Sequence, residues 1–135
     1  LDMAMQHRFD RPTINHLFVY GTLMPGQGRY SQLEPYVRSQ QKASVRGKLH
    51  HLGGYPGMKL GDGLVHGQLM ELEKVEACLE RMDSIEGFLG FGRNDSLFDR
   101  TIVQVQTEQG IVWAWTYVYA REVEDESIIE DGRWR

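Results

Sequence analysis

A cluster of glycines directly after an apolar segment is the first feature of the sequence that is suited to chemistry. Gly21, Gly26 and Gly28 follow residues 16–20, which are apolar or aromatic apart from one histidine. Because glycine has no side chain to obstruct a ligand, backbone N–H groups in such a loop can converge on a carboxylate or a carbonyl oxygen. A purely structural turn uses the same residue types. The loop is therefore either an anion cradle or a plain turn.

The glycine loop lacks the side chains that a phosphate-binding loop needs. Gly21 and Gly26 have the spacing of the P-loop motif, in which a lysine and then a serine or threonine follow the second glycine. Gln27 and Gly28 stand at those two positions. The segment also does not continue into the third glycine and the long amphipathic helix of a dinucleotide-binding fold. We therefore predict that the loop does not bind a nucleotide.

A second candidate for chemistry is Glu86, which lies between Ile85 and the Gly87-Phe88 pair. Apolar neighbours disfavour the ionised carboxylate and raise the pKa of the group towards neutrality. A carboxyl group with such a pKa can accept a proton as a general base and return it as a general acid. An isolated glutamate is more often a solvated surface group or a helix cap. The residues alone leave both interpretations open.

The other residue types that carry chemistry form no recognisable pattern. The five histidines show no metal-ligand spacing with any carboxylate. Cys78 is the only cysteine, so neither an intramolecular disulfide nor a cysteine-based metal cluster is possible. Its position on an apolar helical face predicts a buried residue rather than a nucleophile. We therefore expect neither a metal nor another cofactor.

The first half of the sequence indicates strands separated by tight turns. Residues 16–20 have the content of a buried strand, and residues 43–51 predict a second strand. Residues 58–60 and 64–70 are predicted to pair as a hairpin through the connection Gly61-Asp62-Gly63, since glycine supplies the positive φ that such turns need. This half is therefore mainly β-structure.

The second half predicts one helix and one hairpin. Apolar residues recur at three- and four-residue spacing over residues 73–82, which indicates an amphipathic helix just before Glu86. Residues 101–107 and 111–120 are strand-like and are joined by a short turn. The predicted fold class is α+β: a mainly antiparallel sheet, curled or closed like a β-barrel, with one principal helix packed against it.

Size and charge indicate an ordinary globular protein. The 135 residues predict a single domain over residues 14–135, after a flexible N-terminal arm over residues 1–13. In the tail, Ile128, Ile129 and Trp134 are predicted to dock on the sheet. The net charge is −4, no basic run interleaves with aromatic residues, and no apolar run approaches the roughly 20 residues of a membrane helix. With only one cysteine, we expect a cytoplasmic protein whose partners include neither nucleic acid nor a membrane.

Several short motifs occur in the order and spacing of one known family. Tyr20-Gly21-Thr22-Leu23 resembles the tyrosine-glycine-small-leucine loop of the gamma-glutamylcyclotransferase-like superfamily. Residues 82–88 resemble its leucine-aspartate, spacer, glutamate-glycine-aromatic motif, and Gly54-Tyr55-Pro56 resembles its second loop. Further matches lie in residues 96–100, 114–119 and 132–134. The resemblance covers residues 17–134, nearly the whole predicted domain.

The resemblance implies an enzyme that forms 5-oxoproline from a small γ-glutamyl compound. In that reaction the α-amine of a γ-glutamyl group attacks its own γ-carbonyl carbon and releases an amine or a peptide. The implied catalytic residue is Glu86, as general base and then general acid. The implied substrate-binding residues are Tyr20, Gly21, Thr22, Leu23, Tyr55 and Phe98. No metal or other cofactor is implied, since the amine and the carbonyl belong to one molecule.

The sequence departs from the family pattern at two positions. Phe98 stands where the family often has a tyrosine, so a hydrogen bond from that hydroxyl is absent, and Met82 replaces the usual leucine. Both changes preserve packing. Arg100 has two open interpretations, pairing with a carboxylate or bracing the adjoining strand. An alternative function on the same fold is a non-catalytic module that binds a small carboxylated metabolite.

Overall fold

The computed structural model describes residues 13–135. The predicted N-terminal arm lies outside these residues except for Thr13. The strands are β1 (His16–Val19), β2 (Val37–His51), β3 (Pro56–Leu72), β4 (Phe98–Thr107) and β5 (Gly110–Tyr119), and the α-helices are α1 (Tyr30–Leu33) and α2 (Val75–Glu86). Short 3-10 helices span Glu34–Tyr36 and Asp125–Ser127. No helix among these residues is both long and apolar enough to cross a membrane.

The five strands form a closed ring in the order β1-β3-β2-β4-β5. Neighbouring strands are antiparallel except for β1 and β5, which meet in parallel at Leu17 and Trp115. The ring is irregular, because β2 and β4 share a single register pair, Ser44 with Gln106. This architecture confirms the predicted α+β class with a closed, mainly antiparallel sheet and one principal helix.

The predicted hairpin around Gly61-Asp62-Gly63 was wrong. The two flanking segments belong to one long strand, β3, and both pair with β2. Leu60 pairs with Gly47 and Leu64 pairs with Arg46, so the three residues between them bulge out of the ladder. A bulge of this kind needs the same positive φ angles as a turn, here 147° at Gly61 and 98° at Gly63. The predicted hairpin over residues 101–107 and 111–120 is confirmed as β4 and β5.

The principal helix is longer than predicted. Helix α2 ends at Glu86, one turn beyond the apolar repeat, and Cys78 and Met82 are buried on its inner face. Gly87 ends the helix in the left-handed conformation with φ 70°, and Phe88 N–H donates to the Asp83 carbonyl at 2.9 Å. Glu86 is therefore the last residue of the helix rather than part of the loop that follows it.

Two apolar cores lie on opposite faces of the sheet, one under helix α2 and one inside the ring, and the segment of β1 contributes to both. Leu17 and Val19 pack with the helix side, whereas Phe18 and Tyr20 belong to the cluster with residues such as Val65 inside the ring. This alternation follows from the two-residue period of a strand. Because β1 is buried on both faces, the glycine loop that follows it begins from a fixed point.

The tail docks on the ring, as predicted. Ile129 N–H donates to the Leu49 carbonyl at 2.7 Å, and the Gly132 carbonyl accepts from His66 N–H at 2.9 Å. The indole N–H of Trp134 donates to the Gln27 side chain at 3.3 Å. The tail therefore contacts both the long strands and the glycine loop.

Candidate active site

A cavity opens where β1 runs into the glycine loop. Its volume is about 390 Å³ when the space open to solvent is included. Its walls come from β1, the glycine loop, the β2–β3 connection, the first residue of β4, strand β5 and the end of α2. The residues predicted for the site all line this cavity: Glu86, Tyr20, Gly21, Thr22, Leu23, Tyr55 and Phe98. The fold thus brings distant parts of the sequence together, while the chemical roles of these residues stay predictions.

The glycine loop is held by its own backbone. Met24 N–H donates to the Gly21 carbonyl at 3.0 Å, and Arg29 N–H donates to the Thr22 carbonyl at 2.9 Å. Within residues 13–135, the N–H groups of Gly21, Thr22 and Leu23 donate to no backbone or side-chain acceptor. Three residues of one cavity wall therefore have backbone donors that the described part of the chain does not use.

Gly21 is required by a close approach rather than by its backbone angles. A Cβ atom at this position would lie 2.6 Å from Cγ of Pro56, well inside the contact distance of two carbon atoms. Pro56 is buried and lines the same cavity. A larger residue at position 21 would therefore displace the opposite wall of the cavity.

Glu86 is a partly buried carboxyl at the cavity. Burial raises its pKa from 4.5 to about 7, and the positive charge of Arg29 acts in the opposite direction. Near neutral pH the carboxyl is therefore present in both protonation states. This is the property that a group needs in order to accept a proton and then return it.

The raised pKa of Glu86 predicts a pH-dependent effect on stability. Because the folded-state pKa lies above the ordinary value, stability is lost as pH rises from about 4.5 through about 7. Glu86→Gln removes this loss, so we expect its free energy of unfolding at pH 8 to exceed that of the wild type by up to about 3 kcal/mol. At pH 4 the two proteins should be nearly equal. Urea unfolding at both pH values measures the difference, and a gap of equal size at both would contradict the prediction.

Tyr20 is fixed by two hydrogen bonds inside the ring. Its hydroxyl donates to the Tyr117 carbonyl at 2.7 Å and accepts from Met58 N–H at 3.2 Å. Burial, and then the nearby negative charge of Glu86, raise the pKa of the Tyr20 hydroxyl. The phenol therefore stays neutral and joins β1 to β3 and β5 as part of the cavity wall.

A network of three side chains lies behind the cavity. The Asp83 carboxylate accepts from the Tyr117 hydroxyl at 2.7 Å and from Arg100 Nε at 2.8 Å and Nη2 at 3.2 Å. Arg100 and Tyr117 face each other across β4 and β5. Asp83 lies one helical turn before Glu86, so the network attaches the end of α2 to the sheet. The two interpretations of Arg100 coincide, because it braces the structure by pairing with a carboxylate.

Aromatic rings enclose the Arg100 guanidinium. Its central carbon lies 4.4 Å from the centroid of the Trp115 ring, 5.1 Å from that of Phe91 and 5.3 Å from that of Phe88. These distances are typical of cation–π contacts, which are stronger when water is excluded. The charge of Arg100 is therefore compensated by one carboxylate and by ring faces.

Five residues that line the cavity were not predicted as site residues from the sequence: Phe18, Val19, Arg29, Pro56 and Tyr117. Pro56 and Tyr117 lie within the segments that resemble the family, so alignment with that pattern was the signal that could have found them. Arg29 lies in the exposed turn after the glycine loop and has no such signal.

Cys78 is buried, as predicted, and burial raises the pKa of its thiol to about 12. It is therefore a thiol, not a thiolate, near neutral pH. Among residues 13–135, no group of three or more His, Cys, Asp or Glu side chains is placed to hold a metal ion.

Comparison with known proteins identifies the family. A family model described as "Gamma-glutamyl cyclotransferase, AIG2-like" matches residues 17–135. The Gamma-L-glutamyl-butirosin B gamma-glutamyl cyclotransferase of Niallia circulans is 40% identical to this chain over 108 residues, which are 79% of this chain and 68% of that protein.

Solved structures share the fold. An AIG2-like protein from Mus musculus superposes with a TM-score of 0.72 at 20% identity, covering 92% of this chain and 90% of the mouse chain. YkqA from Bacillus subtilis superposes with a TM-score of 0.69 at 25% identity. The match covers 90% of this chain but only 40% of YkqA. The mouse protein supports the fold alone. Together with the family match, these results show that the chain belongs to the gamma-glutamyl cyclotransferase, AIG2-like family and is an enzyme of the gamma-glutamyl cyclotransferase type.

Proposed function

We propose that this enzyme converts a γ-glutamyl amine or γ-glutamyl peptide into 5-oxoproline and a free amine. One observation carries the proposal: a carboxyl group whose pKa is raised by burial to about 7 lines the same cavity as three residues whose backbone N–H groups have no acceptor within residues 13–135. The carboxyl group can accept and donate a proton, and the N–H groups can stabilise an oxygen atom that becomes negative. Intramolecular acyl transfer needs both at one place.

The first step forms the ring. The Glu86 carboxylate accepts one proton from the substrate's α-ammonium group, which frees the nitrogen lone pair. The nitrogen then attacks the γ-carbonyl carbon, a C–N bond forms, and the carbonyl π electrons move to oxygen. The proposed role of the N–H groups of Gly21, Thr22 and Leu23 is to donate to this oxygen and stabilise its negative charge.

The second step releases the leaving group. Protonated Glu86 donates its proton to the departing nitrogen as the old C–N bond breaks and the carbonyl re-forms. The regenerated carboxylate accepts the remaining extra proton from the ring nitrogen and passes it to the released amine or to water, which returns Glu86 to its ionised state. No external nucleophile takes part, because the enzyme only has to fold the substrate so that its amine reaches its own carbonyl.

The open side of the cavity suits this assignment. Its volume of about 390 Å³ includes space that is open to solvent, so a leaving group can extend out of it. The aromatic side chains of Tyr55 and Phe98, whose ring centroids are 6.1 Å apart, form a wall against which the glutamyl chain would pack.

A direct assay tests the proposal. The enzyme is incubated with γ-glutamyl amines, γ-glutamyl dipeptides and γ-L-glutamyl-butirosin B, the last because of the name of the Niallia circulans relative. We expect at least one substrate to give 5-oxoproline and free amine in equal amounts by mass spectrometry. Ligand-induced thermal stabilisation without any turnover would instead support the non-catalytic binding module.

The pH dependence of the same reaction gives a further prediction. Glu86 must be deprotonated in the free enzyme to accept the ammonium proton, so kcat/KM should rise as pH increases through about 7. Initial rates at low substrate concentration between pH 5 and pH 8 measure this rise in kcat/KM. A flat profile across that range would show that a group other than Glu86 takes the proton.

A further inference from the structure

Among the described residues that line the cavity, Arg29 is the single cation and Glu86 is the single anion. The Arg29 backbone is tied to the glycine loop through its N–H bond to the Thr22 carbonyl. Its side chain is exposed at the mouth. The two opposite charges are therefore carried by different walls of the cavity.

The Arg29 guanidinium is available for a ligand. Within the described part of the chain, no carboxylate lies within salt-bridge distance of it and no side chain accepts a hydrogen bond from it. Its positive charge nevertheless acts on the Glu86 carboxyl, where it partly offsets the rise in pKa that burial causes. Arg29 is therefore close enough to influence a charge inside the cavity without being neutralised by the protein.

The substrate itself supplies a charge that needs a partner. In a γ-glutamyl group the α-amine and the α-carboxylate are attached to the same carbon atom. When the amine is placed to give its proton to Glu86, the α-carboxylate necessarily lies within a few ångströms of the Glu86 carboxylate. Two carboxylates at that distance repel each other unless a cation lies beside them.

We propose that Arg29 binds the α-carboxylate of the γ-glutamyl group and makes a free α-carboxylate a requirement for substrates. The inference rests on the proposed function, and it assigns the two halves of the site. Arg29 holds the carboxylate, for which the guanidinium offers paired N–H donors. The N–H groups of Gly21, Thr22 and Leu23 are then left for the γ-carbonyl oxygen.

A binding experiment tests this assignment without requiring turnover. The product 5-oxo-L-proline keeps the α-carboxylate, and 5-oxo-L-prolinamide replaces it with an uncharged amide. We expect calorimetry to show that the wild type binds the acid about 10- to 100-fold more tightly than the amide. Arg29→Gln should bind both within a few-fold of each other, and Arg29→Lys should keep part of the preference.

The matched control is Arg46→Gln, which removes the same charge from an exposed arginine on β2 that does not line the cavity. This variant should keep the full preference for the acid. An unchanged preference in Arg29→Gln, or an equal loss in both variants, would overturn the proposal.

Kinetics separate this inference from the proposed reaction. With a γ-glutamyl anilide and its α-carboxamide analogue, Arg29→Gln should raise KM for the acid and lose the preference for it. If the wild type turns over no substrate but shows an Arg29-dependent preference for the acid, the reaction is wrong and the anion site stands. If Arg29→Gln keeps the preference for the α-carboxylate and loses only the preference for a γ-glutamyl dipeptide over its C-terminal amide, Arg29 recognises the leaving group and the assignment is wrong.

Discussion

Replacing Glu86 with glutamine is expected to lower kcat/KM by about 10²- to 10⁴-fold, the usual contribution of a positioned acid–base group. Glutamine keeps the size of the side chain but can neither accept the ammonium proton nor deliver one to the leaving nitrogen. The position of Glu86 at the end of α2 is set by Gly87 and by the Asp83 network. The substitution should therefore change the chemistry without moving the helix.

The measurement is the rate of 5-oxoproline formation under saturating and subsaturating conditions. Glu80→Gln provides the matched control, because it changes the same residue type on an exposed position of the same helix. We expect this variant to retain wild-type activity. Wild-type rates in Glu86→Gln would remove Glu86 from the mechanism, and equal losses in the two variants would point to a general effect on α2.

Replacing Asp83 with alanine is expected to reduce the free energy of unfolding by about 3 kcal/mol, near the lower end of the range for breaking a buried ion pair. The Asp83 and Arg100 side chains are only 21% and 13% exposed. Without the carboxylate, the Arg100 guanidinium remains among aromatic rings with no anion, and the Tyr117 hydroxyl loses its acceptor. Leaving a charge uncompensated is costlier than losing a surface pair.

Urea unfolding at neutral pH measures this loss, which should correspond to a fall in melting temperature on the order of 10 °C. The control is Asp95→Ala, since Asp95 pairs with Arg93 at 2.6 Å but both side chains are more than half exposed. That variant should be nearly as stable as the wild type. The free energy of unfolding of Tyr117→Phe should lie between those of Asp83→Ala and Asp95→Ala, because this change removes one hydrogen bond and leaves the ion pair intact. Equal stabilities of the Asp83 and Asp95 variants would show that the network does not hold the helix.

The fold class could be predicted from the sequence because much of the pattern is local. The alternation of Val103 and Val105 with glutamines identified β4, and the spacing of Cys78 and Met82 identified α2. The bulge at Gly61-Asp62-Gly63 could not be distinguished from a turn. Its partner strand, β2, begins with exposed polar residues over positions 38–42 that carry no two-residue apolar period, so the length of β2 was hidden.

Only part of the candidate site could be predicted from the sequence. Glycines followed by a distant glutamate suggested two chemical roles, and the family pattern linked them. The partners of Asp83 were not visible, because Arg100 and Tyr117 reach it only through the pairing of β4 with β5. Arg29 was missed since an exposed arginine in a turn resembles any solvated surface residue.

The cavity is complete only when the ring closes, because β1 and β5 both contribute to its wall. The hydrogen bond from Tyr20 to Tyr117 joins residues 97 positions apart in the sequence, and the bond from Thr116 to Phe18 joins residues 98 apart. Contacts of such long range form slowly, because a large loop must close before they contribute. A nascent chain that has not yet emerged as far as β5 therefore lacks one wall of the cavity. A ligand that contacts both β1 and β5 therefore binds only the closed ring and stabilises it against opening.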